Sequence, residues 1–420
     1  MRKNFILVVL IFISFIAFSQ EKDLDSLYKK IEELEKRVEQ INESTTDDLP
    51  DYQEFTRGNI EALNLTPSIK GNISGVELSI GGFVQTDFIL DSHRTSNRYG
   101  FQNSAIDMVN RGRDGQLTFS TKQTRLTFTS KYKLDKGEIF TLFEMDFFNL
   151  NGAYPEIRHA YGEINGFGVG MYWSNFMEIE AFPNLLDYWG PSAMVFSRPI
   201  QIRYKIPLKN DKNRVVISLE QQTPDLNYEN TDYQKWFISP NLVASYRRDF
   251  NQSFVKAAMV LHPITYESST DEKYNKMGWG INVASNLYTK DNSHFSTQIT
   301  FSDGSSSYYN DLGGSGYDGY FDPSSGNLTT FQAFAFMAFY NHWFSKDLSA
   351  SIGWAYLDLL NTSNNDYQVY DNSNYGSVNC IYYPWKTVKI GIEFIYGDLN
   401  YTTGVRGKNS RIQSSFMFKF

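Results

Sequence analysis

The sequence predicts an all-β fold: a 16-stranded antiparallel transmembrane β-barrel with a short N-terminal α-helical coiled coil. Three observations predict it. Apolar and polar residues alternate with period two from about residue 73 to the end, as they do where one strand face meets lipid and the other water. The connectors between these runs are short and long by turns, which a soluble sandwich has no reason to arrange. The last run sets Ile412, Phe416, Phe418 and Phe420 on one face and Arg411, Gln413, Ser415, Met417 and Lys419 on the other.

Composition removes the competing classes. The chain has 420 residues, 28 of them Tyr and 33 Phe, and such residues favour strands and membrane interfaces. No stretch after the N-terminus holds the ~18 consecutive apolar residues of a membrane helix, so a helical membrane protein is excluded. A single cysteine, Cys380, excludes a disulfide framework and a Cys-rich zinc site. A net charge of -8 argues against a nucleic-acid partner. No metal or cofactor is expected.

Residues 1–19 read as a signal peptide. Arg2 and Lys3 precede an apolar run from Phe5 to Phe18, and Ala17-Phe18-Ser19 forms a small-x-small cleavage site. The run is too short for a membrane-spanning helix and has no stop-transfer flank. Residues 20–43 read as the coiled-coil helix, expected in the periplasm. Leu24, Leu27, Ile31, Leu34, Val38 and Ile41 recur at spacings of three and four, an a/d seam. About three heptads are too few for independent stability. The seam therefore needs partner copies, which a trimeric barrel would hold close by, or it packs on its own barrel. Residues 44–72 have no clear period and read as a linker, leaving 73–420 for the barrel.

Within the barrel, the first strand alternates Val76, Leu78, Ile80, Val84, Phe88 and Leu90 with Glu77, Ser79, Gln85, Asp87 and Asp91. Fifteen further runs follow, near 116–132, 138–148, 156–164, 167–173, 194–207, 213–222, 235–248, 253–262, 276–288, 293–302, 329–344, 348–360, 373–383, 386–398 and 408–420. Asn165-Gly166 is a type I′ hairpin signal. The 263–275, 303–328 and 399–407 connectors are expected to be long loops. The 303–328 segment, rich in Gly, Ser and Asp with interspersed Tyr, reads as flexible and external. Its glycine run lacks the Lys-Ser/Thr of a phosphate-binding loop.

A barrel of this size leaves an aqueous channel. The 174–193 connector is the expected constriction, because Trp173, Phe176, Met177, Phe182, Pro183, Trp189 and Pro191 are too apolar to stay exposed. Either the lumen or a subunit contact would bury them. Arg203 and Lys205 share the face opposite Ile200, Ile202 and Tyr204, and so point inward. Arg125 is inward if Leu126 and Phe128 face lipid, with Glu144 and Asp146 on the same side of the wall. The parity of Arg158 and Arg247 is ambiguous. Five His occur, but no HExxH or GxSxG motif, so no catalytic residue is proposed. A binding or adhesion barrel is the alternative, and an outer-membrane hydrolase the less favoured one.

One segment carries a family resemblance. Glu156-Ile-Arg-His-Ala-Tyr161, Gly168-Val-Gly-Met-Tyr-Trp-Ser-Asn-Phe-Met177, Leu186-Asp-Tyr-Trp-Gly-Pro191 and Arg198-Pro-Ile-Gln-Ile-Arg-Tyr204 resemble, in order and spacing, runs of the DcaP-like porins. Met171 stands where that pattern has Gln, and Ile200 adds a residue between Pro199 and Gln201. The resemblance implies a trimeric sixteen-stranded porin in the outer membrane of a Gram-negative cell, in contact with its lipid. It implies passage of small anionic, dicarboxylate-like solutes, and marks Arg158, Arg198 and Arg203 as candidate anion contacts.

Overall fold

Sixteen wall strands follow one another around the barrel. They are β1 (Val76–Asp91), β2 (Gln116–Ser120 and Arg125–Leu134), β3 (Gly137–Asp146), β4 (Glu156–Ile164), β5 (Phe167–Met171), β6 (Ile200–Ile206), β7 (Asn213–Gln221) and β8 (Asn241–Phe250). Then come β9 (Ser253–Ser268), β10 (Lys273–Tyr288), β11 (His294–Asp303), β12 (Gln332–Ser345), β13 (Leu348–Leu359), β14 (Tyr370–Trp385), β15 (Val388–Tyr401) and β16 (Arg406–Lys419). The computed structural model describes residues 69–420 except 74, 108–114, 149–153, 211, 228–232, 237–238, 269–271, 291, 323–326 and 363–368. The expected signal peptide, the coiled-coil helix and all but the last residues of the expected linker lie outside the described residues.

Each strand pairs antiparallel with the next, from β1–β2 to β15–β16. Phe83–Asp91 of β1 pairs with β16, which closes the sheet. Closure leaves no free edge, the condition for a sheet in lipid. At the seam, Gly82 and Phe420 exchange backbone hydrogen bonds. Beyond that point Ile69–Ile73 folds back on Val76–Ile80 and covers the rest of the β1 edge. The first four of those residues belong to the stretch read as linker; a strand so short offers too few positions for a visible period.

The pleat sorts the faces as the alternation requires. Phe416, Phe418 and Phe420 are exposed outward while Gln413, Ser415 and Met417 are buried inward. Leu117 and Phe119 are 62% and 63% exposed, as lipid-facing side chains are in an isolated barrel. Asn165 and Gly166 both take positive φ, 50° and 81°, the type I′ geometry that matches strand twist.

Two connectors are shorter than the sequence suggests. Strands β9 and β10 run on to Ser268 and Lys273, and β15 and β16 to Tyr401 and Arg406. Their outer ends carry Lys273, Asn275, Lys276 and Lys408, so the apolar half of the alternation is missing there. Above the lipid band a strand has no reason to stay apolar on its outer face.

A hydrophobic core fills part of the lumen. Inward-facing Val260, Ala333, Ala335, Met337, Ala355 and Leu357 are essentially inaccessible. They are covered by Phe176, Met194 and Val195 from the 172–199 connector and by Tyr308, Tyr309 and Leu312 from the 304–331 connector. The latter is therefore not the external loop the sequence suggested. Its polar composition hides a handful of large residues that bury against the wall, and Gly319–Asp322 adds a small sheet with Asn327–Thr330 and Leu226–Asn227.

Candidate functional site

The 172–199 connector between β5 and β6 crosses the lumen, and the inner wall holds it along its whole length. At its root, Ser174 Oγ and the Asn175 N–H both donate to the Glu220 carboxylate of β7, at 2.6 and 2.7 Å. Gln201 of β6 donates to the carbonyls of Tyr172 and Trp173, each at 3.0 Å. A short 3-10 turn follows, Ile179–Ala181, flanked by Glu178 and containing Glu180. Both carboxylates pair with Arg247 of β8, at 3.1 and 2.8 Å. The ambiguous parity of Arg247 thus resolves inward, toward a partner that sits on the loop.

The tip of the connector reaches the far wall. The Asn184 N–H donates to Asn341 of β12 at 2.9 Å, and Asn379 of β14 donates to the Asn184 carbonyl at 2.7 Å. The Leu186 N–H donates to Glu393 of β15, and its carbonyl accepts from Gln413 and Gln123, at 2.9 and 3.2 Å. Leu186 fits because β15 has no side chain there: a Cβ on Gly391 would lie 2.9 Å from both Leu186 methyls. On the return, Asp187 accepts from the N–H groups of Phe101 and Gly190, at 2.9 and 3.0 Å. Burial pushes this carboxyl up to about 6, against the pull of Arg411 and those N–H donors. Val195 bridges to Tyr309, which joins the connector to the 304–331 segment. Of the two expected fates, lumen or subunit contact, the connector takes the lumen.

Arginines gather on one side of this constriction. Arg158 Nη1 donates to Asp146 Oδ2 at 2.7 Å and its Nε to Glu144 Oε1 at 2.9 Å. It faces inward because of a register shift between β3 and β4 at Glu144 and Met145. Glu144 stands opposite His159, and Met145 opposite Ile157, so Arg158 is the extra residue of a β-bulge. Bulges redirect side chains in this way, and period-two reading cannot see them. Arg125 Nε lies 3.7 Å from the same Glu144. Arg158 and Arg198 both lie over the Trp173 indole, their guanidinium carbons 5.6 and 5.7 Å from its centre. Among the described residues, buried Nη1 of Arg198 has no hydrogen-bond partner. Arg203 stacks over Tyr172 at 5.5 Å and is half-buried, and Lys205, two residues on, is exposed.

The predicted constriction residues divide. Trp173 carries the arginines. Phe176 and Met177 sink into the lumen core. Trp189 donates from Nε1 to the Asn310 carbonyl at 3.1 Å. Between the connector and the wall lies a cavity of about 610 Å³ of empty space, open to solvent, lined by Arg125, Arg158, Trp173, Tyr188, Phe196 and Lys389 among others. Sequence reading missed Lys389 and Glu393. Their inward parity was available in the 386–398 run, but nothing in the sequence tells which inward residues meet the connector.

This is the interior of a barrel whose sequence also carries a family pattern. A family model described as DcaP outer membrane protein matches residues 64–420. The chain belongs to the DcaP outer membrane protein family. Among solved structures, the outer membrane channel DcaP of Acinetobacter baumannii is similar at TM-score 0.72 and 20% identity, over 83% of this chain and 99% of that one. An anion-selective porin from Comamonas acidovorans gives TM-score 0.55 at 8% identity, over 82% and 100%. The trimer form of OmpT of Vibrio cholerae gives 0.51 at 10%, over 83% and 100%. At such identities these likenesses concern the fold. Comparison with curated proteins finds no match. Membership of the DcaP family makes this an outer membrane barrel of the porin kind.

Proposed function

We propose that this DcaP-family barrel is a passive diffusion channel for small anionic, dicarboxylate-like solutes, assembled as a homotrimer. The observation that carries the reading is the charge balance at the constriction. Arg125, Arg158 and Arg198 face two buried carboxylates, Glu144 and Asp146, while Glu156 near Arg198 is exposed, so cationic charge is in excess among the groups shielded from solvent. A fixed excess of cations in a narrow, low-dielectric passage lowers the barrier for anions and raises it for cations. Arg203 and Lys205 continue the basic face toward the short-turn end of β6. Trp173 and Tyr188 hold the arginine planes in place. Solute passage needs no covalent step and no catalytic residue. Residues 1–19 act as the secretion signal, and the helix at 20–43 joins three copies in the periplasm, a role supported by its a/d seam. The V. cholerae relative described in a trimer form has a similar barrel.

Reversal potential across a planar bilayer under a salt gradient tests the reading. Wild-type protein is expected to favour anions, and Arg198→Ala to reduce that preference while conductance persists. Cation preference in the wild type would overturn it. Conductance closing in three steps supports the trimer, and single-step closure speaks against it.

A further inference from the structure

Lys389 lies on the inner face of β15 and is 4% exposed. It lines the same cavity as Arg125 and Arg158, but from the other flank. Following the ladder, Lys389 pairs with Met417 of β16, Met417 with Gln85 of β1, and Phe83 of β1 with Arg125 of β2. Three strand spacings separate the two basic residues, about 14 Å of wall. Gln85, Gln123 and Met417 line the cavity between them, and none of these carries a charge.

The ammonium has capacity to spare. Among the described residues its hydrogen bond is to the Leu185 carbonyl, long at 3.4 Å, whereas an ammonium has three donors. The acidic groups that face it, Glu393 and Asp87, are occupied elsewhere. Glu393 accepts from Leu186 and Asn379, and Asp87 from Gln85, Gln123 and Ser415. Neither forms an ion pair with Lys389 within 4 Å among the described residues. A buried ammonium so thinly bonded, beside a solvent-connected cavity, is placed to take an anionic oxygen.

We propose that Lys389 is a specificity-determining residue of the channel, the second cationic pole of a two-pole solute site whose first pole is the Arg125–Arg158 flank. The inference rests on the anion-channel reading. A solute with anionic groups at both ends engages both poles, whereas one with a single anionic end engages one. Lys389 therefore sets the preference between solutes of equal length and different charge number.

The test compares succinate with butyrate as permeant anions in bilayer recordings. Lys389→Gln removes the charge and leaves a shorter, neutral polar side chain. It is expected to lower the succinate-to-butyrate permeability ratio, with chloride conductance reduced less than succinate permeability, and Lys389→Arg is expected to restore the ratio. An unchanged ratio in an anion-selective channel that still responds to Arg198→Ala overturns the role of Lys389 and leaves the channel reading standing. A wild type with no anion preference overturns both. Should Lys389→Gln not assemble, the wild type decides: longer succinate than butyrate dwell events support two poles, and equal dwell times overturn them.

Discussion

Arg158 donates to Asp146 at 2.7 Å across a β-bulge that turns its side chain into the lumen. Asp146 also accepts the Tyr188 hydroxyl at 2.6 Å, so the constriction connector is tied to the wall through the same carboxylate. Arg158 is thus a structural cation as well as part of the basic flank, whereas Arg198 has a buried nitrogen without a hydrogen-bond partner among the described residues. The two should fail differently.

Arg158→Ala removes the ion-pair partner that the buried carboxylates Glu144 and Asp146 share. The expected loss is about 3–5 kcal/mol, visible as a lower urea midpoint of the folded barrel. Arg198→Ala is expected to leave that midpoint nearly unchanged while altering selectivity. Equal destabilisation by both would show that Arg198 is a structural pair as well.

Tyr308 and Tyr309 are buried between the 172–199 connector and the wall. Replacing both with alanine removes the large side chains that fill this part of the lumen. Single-channel conductance in potassium chloride is expected to rise, by about twofold if the freed space becomes a water path. Unaltered conductance with intact folding would mean that the remaining backbone keeps the space closed.

Asp187 gives a pH signature. Its folded value, about 6, lies above the ordinary 3.8. A raised carboxyl favours the protonated form in the folded state, so its contribution to stability is full below pH 3.8 and is lost as pH rises through 6. Asp187→Asn has no such charge to bury. The stability difference should shift toward the variant by about 3 kcal/mol between pH 3.8 and pH 7. Parallel unfolding midpoints for the two proteins across that range would refute the assignment.

Gly391 receives Leu186. Gly391→Val is expected to push the connector tip away from β15, loosening the Glu393 and Gln413 bonds to Leu186. The expected readout is noisier current and altered conductance, with fold and heat stability of the barrel largely kept. Quiet wild-type current from this variant would mean that the tip is held by its other contacts.

Much of this architecture was legible in the chain. Each of the sixteen wall strands overlaps a run that alternation marked, because lipid imposes the apolar face. But 194–199, expected as the start of β6, lies in the connector, where Met194 and Val195 are apolar for the lumen core and not for lipid, and β8 begins at Asn241 instead of 235. Arg125 was readable from Leu126 and Phe128, which flank its inward face. Arg158 was not, because a bulge breaks the period at the residue in question. The interruption of β2 between Ser120 and Arg125 was equally hidden: there Thr124 Oγ1 takes over the backbone bonds of Gln85, at 3.2 and 3.3 Å. The inward fold of the 304–331 segment has no periodic signature at all. Only Tyr308, Tyr309, Leu312 and Tyr317, scattered among Gly, Ser and Asp, hinted that it had something to bury.

The core inside the lumen divides the circumference into two arcs with different freedom to vary. On β12 and β13 the inner wall includes small apolar residues, with Ala333, Ala335 and Ala355 closed over by the connectors. Changes there meet close packing and act as they would in the interior of a water-soluble protein. From β15 through β1 to β4 the inner wall instead carries charged and amide side chains, among them Lys389, Gln85, Arg125 and Arg158, that border the cavity beside the connector. Adaptation to a new nutrient would thus be concentrated on a few strands astride the closing seam, leaving the remaining ones to hold the shape.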